Sequence, residues 1–347
     1  MNIAIIGSGL SGITLAHFLD DRSVDFTLFH SGENVSSTVA AGSINPLVFR
    51  RMTKSWRVDD FLPFTQDFFR KCEEKTQSKF YIDMPIRRLF STEQEANEWK
   101  KKQYLPDFEK YMYPLTDVDS NYDKAKNTFG TALVKQSAYV DTKSFMQANL
   151  SYFEAKGKVR NEKVDYSQLN HENGTYKNEA FDFFVFCEGK DNLYNPWFSV
   201  LPVTQTKGEV LTVSFEKITF GESLNRKCFL LPLKEGNYKI GSTYIWDTDN
   251  TEITEVGRNE ILSNLTSISD EIPTVLHQEA GVRPTTVDRR PICGQHPKFD
   301  KFYIFNGLGA KGYLIAPKLI QEFTDYLFDG KEMDKEVSIN RYKYLFD

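Results

Sequence analysis

The sequence lacks several features that would point quickly to a function. Its four cysteines, Cys72, Cys187, Cys228 and Cys293, lie far apart, so no CxxC redox pair or zinc ribbon can be written and they read as reduced, mostly buried thiols. Charge of one sign is not in excess. The 43 Lys and Arg face 48 Asp and Glu, which removes any global electrostatic reason to expect nucleic acid or an anionic membrane, although a local basic patch stays open. No apolar run approaches the roughly 20 residues that cross a bilayer. The basic start and long apolar stretch of a secretory leader are missing too, since Asn2 leads straight into Ile3-Ala4-Ile5-Ile6 and a glycine loop. The expected location is the cytoplasm, with no membrane partner. Repeats, low-complexity tracts, flexible linkers and metal-ligand patterns are likewise absent.

What remains is ample for a large core. The 347 residues, 40% hydrophobic and with 28 Phe, have room for about two domains. The first stretch carries the sharpest signal, because Gly7, Gly9 and Gly12 spell G-x-G-x-x-G between an apolar strand and the helical run Ile13-Thr14-Leu15-Ala16. The first glycine allows a tight turn, the second lets backbone approach a pyrophosphate, and the third lets helix pack on strand, while the helix N-terminus offers free N–H groups. Ser8, Leu10 and Ser11 complete this loop. A second strand over Asp25–Phe29 should end in a ribose-binding acid. His30 stands there instead, with Glu33 three residues on; an imidazole can also meet a ribose hydroxyl, or simply face solvent.

Farther along, Ser36 to Pro46 is a run of small residues without periodicity, suited to backbone lying against a flat ligand. The spacing of Phe61, Leu62, Phe64, Phe68 and Phe69 predicts an amphipathic helix from Asp59 to Cys72. A helix over 142–153 should be capped by Asp141 or Thr142. The all-apolar run Phe181–Cys187, ending in Glu188-Gly189, reads as a strand buried on both faces. Strand patterns with turn signals fill 203–245 and predict an antiparallel sheet; a helix follows over 255–267. The chain then returns to its first architecture with a strand at 302–305, the glycine-rich Gly307-Leu308-Gly309-Ala310-Lys311-Gly312, and a helix over 316–328.

Four separated segments, Gly7 to Gly12, AAGSINP from Ala40, FVFCEG from Phe184, and GVRPTTVDRRPICGQHP from Gly281 with GLGAKGYLIAP from Gly307, together resemble the D-amino acid oxidase (DAO) family of FAD-dependent oxidoreductases. That family includes glycine oxidase, sarcosine oxidase and the oxidase half of the bifunctional enzyme maturing a wobble uridine in tRNA. The resemblance implies an α/β fold: a Rossmann-type FAD-binding domain over 1–58, 137–200 and 276–347, interleaved with an α+β substrate domain over 59–136 and 201–275 built on an antiparallel sheet. It also implies noncovalent FAD, since Ala280 to Thr286 contains no cysteine to tether a flavin. Flavin contacts fall to Gly7, Gly9 and Gly12, to Ala41 and Gly42, to Gly189, and to the 307–312 loop, where Lys311 would place a cation beside the pyrimidine end, or else be solvated.

By the same resemblance Arg283 pairs with a substrate carboxylate. A guanidinium offers two parallel donors, which lysine cannot; the plain alternative is a salt bridge to Asp288 or to a domain-interface acid. Tyr244 and Trp246 are candidate orienting aromatics, with core packing the other role for Trp246. The implied reaction oxidises the C–N bond of a carboxylate-bearing amine, glycine-like, a D-amino acid or an N-substituted glycine, by hydride transfer to flavin N5. A second reading is a tRNA-linked carboxymethylaminomethyl substrate, supported by Arg50, Arg51, Lys54 and Arg57 around Trp56; a third is a non-catalytic FAD-binding protein of the same fold. Oligomeric state is left open by the sequence.

Overall fold

The computed structural model describes residues 1–32 and 35–347. The chain opens with β1 (Asn2–Ile6), α1 (Leu10–Asp21) and β2 (Asp25–His30), then runs through α2 (Val58–Thr76), β3 (Ile86–Leu89), β4 (Thr131–Val134), α3 (Thr142–Ala155), β5 (Val159–Asn161) and β6 (Phe183–Phe186). A strand-rich stretch follows: β7 (Val203–Ser214), β8 (Ser223–Asn225), β9 (Phe229–Pro232), β10 (Asn237–Gly241) and β11 (Ile245–Trp246). Helix α4 (Glu255–Leu265), β12 (Thr274–Thr286), β13 (Ile292–Gln295), β14 (Phe302–Asn306) and α5 (Gly312–Asp329) complete it.

The first sheet has the order β5-β2-β1-β6-β14-β13. Its first five strands run parallel, and β13 is antiparallel to β14. The apolar runs of β1 and β6 are continuous because both faces are covered. Ile3 and Ile5 enter one core, with Leu314 and Leu319 of α5, whereas Ala4 and Ile6 enter another, with Phe184, Phe186 and Phe302. Alternating side chains of one strand thus feed two cores, which removes the polar positions a half-exposed strand would need. Asp141 caps α3, accepting a hydrogen bond from the Ser144 N–H at 3.3 Å.

The second sheet, β11-β7-β10-β9-β8-β3-β4 with β12 also on β7, is antiparallel except for the β8–β3 pair. One face packs Leu211, Val213, Leu230 and Ile240 against Ile261 and Leu265 of α4. The two sheets are α/β and α+β in character, as expected, but the boundary expected after residue 275 falls inside β12, which pairs with β7 from Thr274 to Thr286. Helix α2, expected in the substrate lobe, packs on α5 and α3 beneath the first sheet. Its apolar stripe of Phe61, Leu62, Phe68 and Phe69 joins the same core as Ile3. Helix α5 begins at Gly312, not near Ala316; Pro317 lies inside it and cannot donate a backbone hydrogen bond to the Tyr313 carbonyl, while Thr65 donates to the adjacent Leu314 carbonyl at 2.7 Å.

Candidate active site

A cavity of about 430 Å³ lies where the carboxyl ends of β1 and β6 meet the second sheet, the place at which open α/β sheets hold ligands. At one end it is bounded by Gly7, Gly9, Leu10 and Ser11, with Gly189 following β6. The backbone there is packed so closely that side chains are excluded. A Cβ on Gly12 would stand 1.9 Å from the carbonyl oxygen of Gly7, and one on Gly7 would stand 2.6 Å from that of Cys187. Gly12 and Gly307 support the wall without lining the cavity, and so does Ser8, whose hydroxyl lies 2.6 Å from His30 Nδ1. Gly9 precedes α1 and supplies no side-chain cap. Apart from Leu10, which donates to Ser37 Oγ at 3.0 Å, the first-turn N–H groups of α1 are therefore not committed to a cap, as an anion-binding helix start requires.

Ala41 and Gly42 form the middle of the wall, and Leu308, Gly309, Ala310 and Gly312 close it from the C-terminal side. Lys311 corrects its sequence expectation. Its ammonium neither reaches the cavity nor faces solvent; it donates to the carbonyls of Asn45 at 3.0 Å and Leu47 at 3.2 Å and to the Ser55 hydroxyl. Burial pushes this ammonium down to about 8. With no carboxylate among these partners, the side chain acts as a strap from the C-terminal loop to the 45–55 segment. His30 is the second correction, because it does not line the cavity and spends Nδ1 on Ser8. Glu33, its expected neighbour in ribose recognition, lies outside the described residues.

The other end of the cavity is built around one side chain. Arg283, on β12, lies in register with Thr206 of β7, and its guanidinium crosses Gly208. A Cβ at Gly208 would fall 2.1 Å from Arg283 Nη2. Nη2 donates to Ser242 Oγ at 2.8 Å, and the ring of Tyr244 lies 4.5 Å from the guanidinium carbon. Nη1 is buried and has no hydrogen-bond partner among the described residues. Asp288 takes no part, being held by the Arg290 N–H at 3.0 Å and by Arg341 Nε at 3.2 Å. Burial lowers the guanidinium below its ordinary value, the direction expected for a cation with no anion beside it. Trp246 is not core: it is 55% exposed on the edge strand β11.

A family model described as FAD dependent oxidoreductase (DAO) matches residues 2–325. The chain belongs to the DAO family. Glycine oxidase of Bacillus subtilis (strain 168) is 21% identical, over 96% of this chain and 93% of that protein. The tRNA 5-methylaminomethyl-2-thiouridine biosynthesis bifunctional protein MnmC of Saccharophagus degradans is also 21% identical, over 86% of this chain but 45% of its own length. The crystal structure of glycine oxidase from Geobacillus kaustophilus superposes with a TM-score of 0.81 at 18% identity, covering 95% of each chain. This DAO-family chain is thus an FAD-dependent oxidoreductase, and its cavity fits that cofactor: glycine backbone and an uncapped helix start for a pyrophosphate, and small residues at 41 and 42 for a flat ring.

Three features of the site escaped sequence reasoning. Ser242 as a guanidinium partner had no local signal. Gly208 did have one, since glycine inside a strand marks close approach of another group. Glu188 stands in the cavity wall next to Gly189, where Tyr166 Oη donates to Oε1 at 2.5 Å and Asn195 Nδ2 to Oε2 at 2.7 Å. Burial pushes its carboxyl up to about 7 despite those donors.

Proposed function

We propose that this enzyme oxidises the C–N bond of a small amine bearing a carboxylate, such as glycine, a D-amino acid or an N-substituted glycine. The single observation carrying this reading is the buried Nη1 of Arg283, which has no hydrogen-bond partner among the described residues. A buried cation without an anion is costly, and a carboxylate entering the cavity removes that cost by accepting from Nη1. Ser242 and Tyr244 fix the plane of the guanidinium, so the carboxylate is oriented as well as bound. Orientation of the reacting carbon is most of what such a site must supply. When bound, FAD supplies the hydride acceptor. Gly208 leaves the space in which the guanidinium lies.

Mixing the holoenzyme anaerobically with a panel of amines, with and without a carboxylate, tests the reading. Carboxylated amines should bleach the flavin absorbance and their carboxyl-free analogues should not. Arg283→Ala should lower kcat/KM for the best substrate at least roughly 100-fold, the scale for losing one member of a buried charge pair, while flavin content is retained. Equal bleaching by both classes of amine sinks the proposal.

The tRNA-linked reading draws on the MnmC relative. Two of its four basic residues are spent within the protein: Lys54 pairs with Asp59 at 2.6 Å, and Arg57 with Glu322 at 2.5 Å and Asp334 at 3.3 Å. Trp56 is likewise engaged, donating to Glu336 at 2.7 Å. A free small amine is therefore the substrate we favour. Salt-dependent tRNA binding by the holoenzyme would reverse that preference.

A further inference from the structure

A dinucleotide-binding sheet normally presents an acid at the end of its second strand to receive the adenosine ribose hydroxyls. Here that position is His30, which faces Ser8. The neighbouring strand offers a substitute. β5 pairs in parallel with β2, with Asn161 opposite His30, so Glu162 emerges beside the end of β2, and it lines the cavity. Both of its protein contacts converge on one oxygen: Lys177 Nζ lies 2.7 Å from Oε1, and Tyr176 Oη donates to that same atom. The second oxygen, Oε2, is engaged by neither.

We propose that Glu162 is the carboxylate that receives the adenosine ribose hydroxyls of FAD, so that ribose recognition has moved from the end of β2 to the end of the adjacent strand β5. This rests on membership of the FAD-dependent family and not on the identity of the amine. Lys177 and Tyr176 hold the Glu162 carboxyl below its ordinary value, which keeps it an ionised acceptor near neutral pH. The competing carboxyl of the wall, Glu188, has both oxygens occupied, by Tyr166 and Asn195, and its raised value leaves it partly protonated. Asp191 lines the wall as well, but is paired with Lys190 at 2.7 Å.

Flavin release from the diluted holoenzyme, read by fluorescence, tests the assignment without recourse to activity. The enzyme is loaded either with FAD or with its 2′,3′-dideoxyadenosine analogue. The parent should release the analogue at least about tenfold faster than FAD, the scale of one charge-assisted hydrogen bond. Glu162→Gln should release both at the faster rate, whereas Lys177→Met, which keeps the carboxylate but removes its ion pair, should retain the preference for FAD. Equal release of both flavins from the parent overturns the proposal without any variant. So does a Glu162→Gln enzyme that still distinguishes them, a Lys177→Met enzyme that loses the preference as fully as Glu162→Gln, or a preference abolished by His30→Ala or Glu33→Gln and not by Glu162→Gln.

Discussion

The two ends of the cavity are made of different material. The glycine-loop end is backbone, in which Gly7, Gly9 and the start of α1 present N–H groups and a side chain at Gly12 is excluded because its Cβ would stand 1.9 Å from a carbonyl oxygen. The Arg283 end, which we propose receives the amine, is a single guanidinium held by Ser242 and Tyr244, with one nitrogen lacking a hydrogen-bond partner among the described residues. A backbone site tolerates almost no change of shape, because its geometry is that of the fold. A side-chain site can be emptied or redirected while the fold stands. Damage to the first end should therefore remove the cofactor, and damage to the second should leave cofactor bound and the substrate class altered.

The largest effect should come from adding one carbon to the backbone end. In Gly12→Ala the new methyl would stand 1.9 Å from the Gly7 carbonyl oxygen, so α1 must move off β1, at the cost of several kcal/mol typical of a severe overpacking clash. Purified protein should contain less than about a tenth of the parent's flavin, by absorbance after acid release. Full flavin content would break the contrast between the two ends.

A smaller and more selective effect is expected at the other end. Gly208→Ala would put its methyl 2.1 Å from Arg283 Nη2, displacing the guanidinium without touching the glycine loop. KM for carboxylated amines should rise roughly 10- to 100-fold while flavin content stays at the parent level. If flavin is lost along with substrate affinity, the two ends are one mechanical unit.

The smallest effect is one of pH, at the wall between them. Glu188 has its folded value raised to about 7 from 4.5. Its contribution to stability is therefore complete below about 4.5 and is lost as pH rises through 7. Across that window the parent should lose on the order of 3 kcal/mol relative to Glu188→Gln, read as a fall in Tm that the variant lacks. Parallel Tm profiles would show that cavity water solvates the carboxyl well enough to cancel the effect of burial.

Local signals were legible wherever the physics is local. A strand, turn and helix over 2–21 follow from periodicity and three glycines, and the strand at 183–186 from its unbroken apolar run. Arg283 was legible from the G-x-R-P element, and it lies at the cavity with a free donor. The sequence offers for Lys311 a cation beside the flavin or a solvated one, and its actual direction is not legible there, because its acceptors are carbonyls more than 250 positions earlier in the chain. The same distance hid the burial of Glu188 and the pairing of β12 with β7, which carries Arg283 out of the first sheet and into the second.

The sequence by itself determined the element types and the glycine loop, and it supplied a guanidinium at position 283, since each depends on steric freedom and hydrogen-bonding groups within a few residues. Tertiary structure alone decided which side chains meet. It set Arg283 across Gly208 with one nitrogen unpartnered among the described residues, turned Lys311 toward carbonyls, and brought Glu162 beside the strand that ends in His30. Direction and desolvation arise from packing between distant segments, and no short stretch of sequence contains that packing.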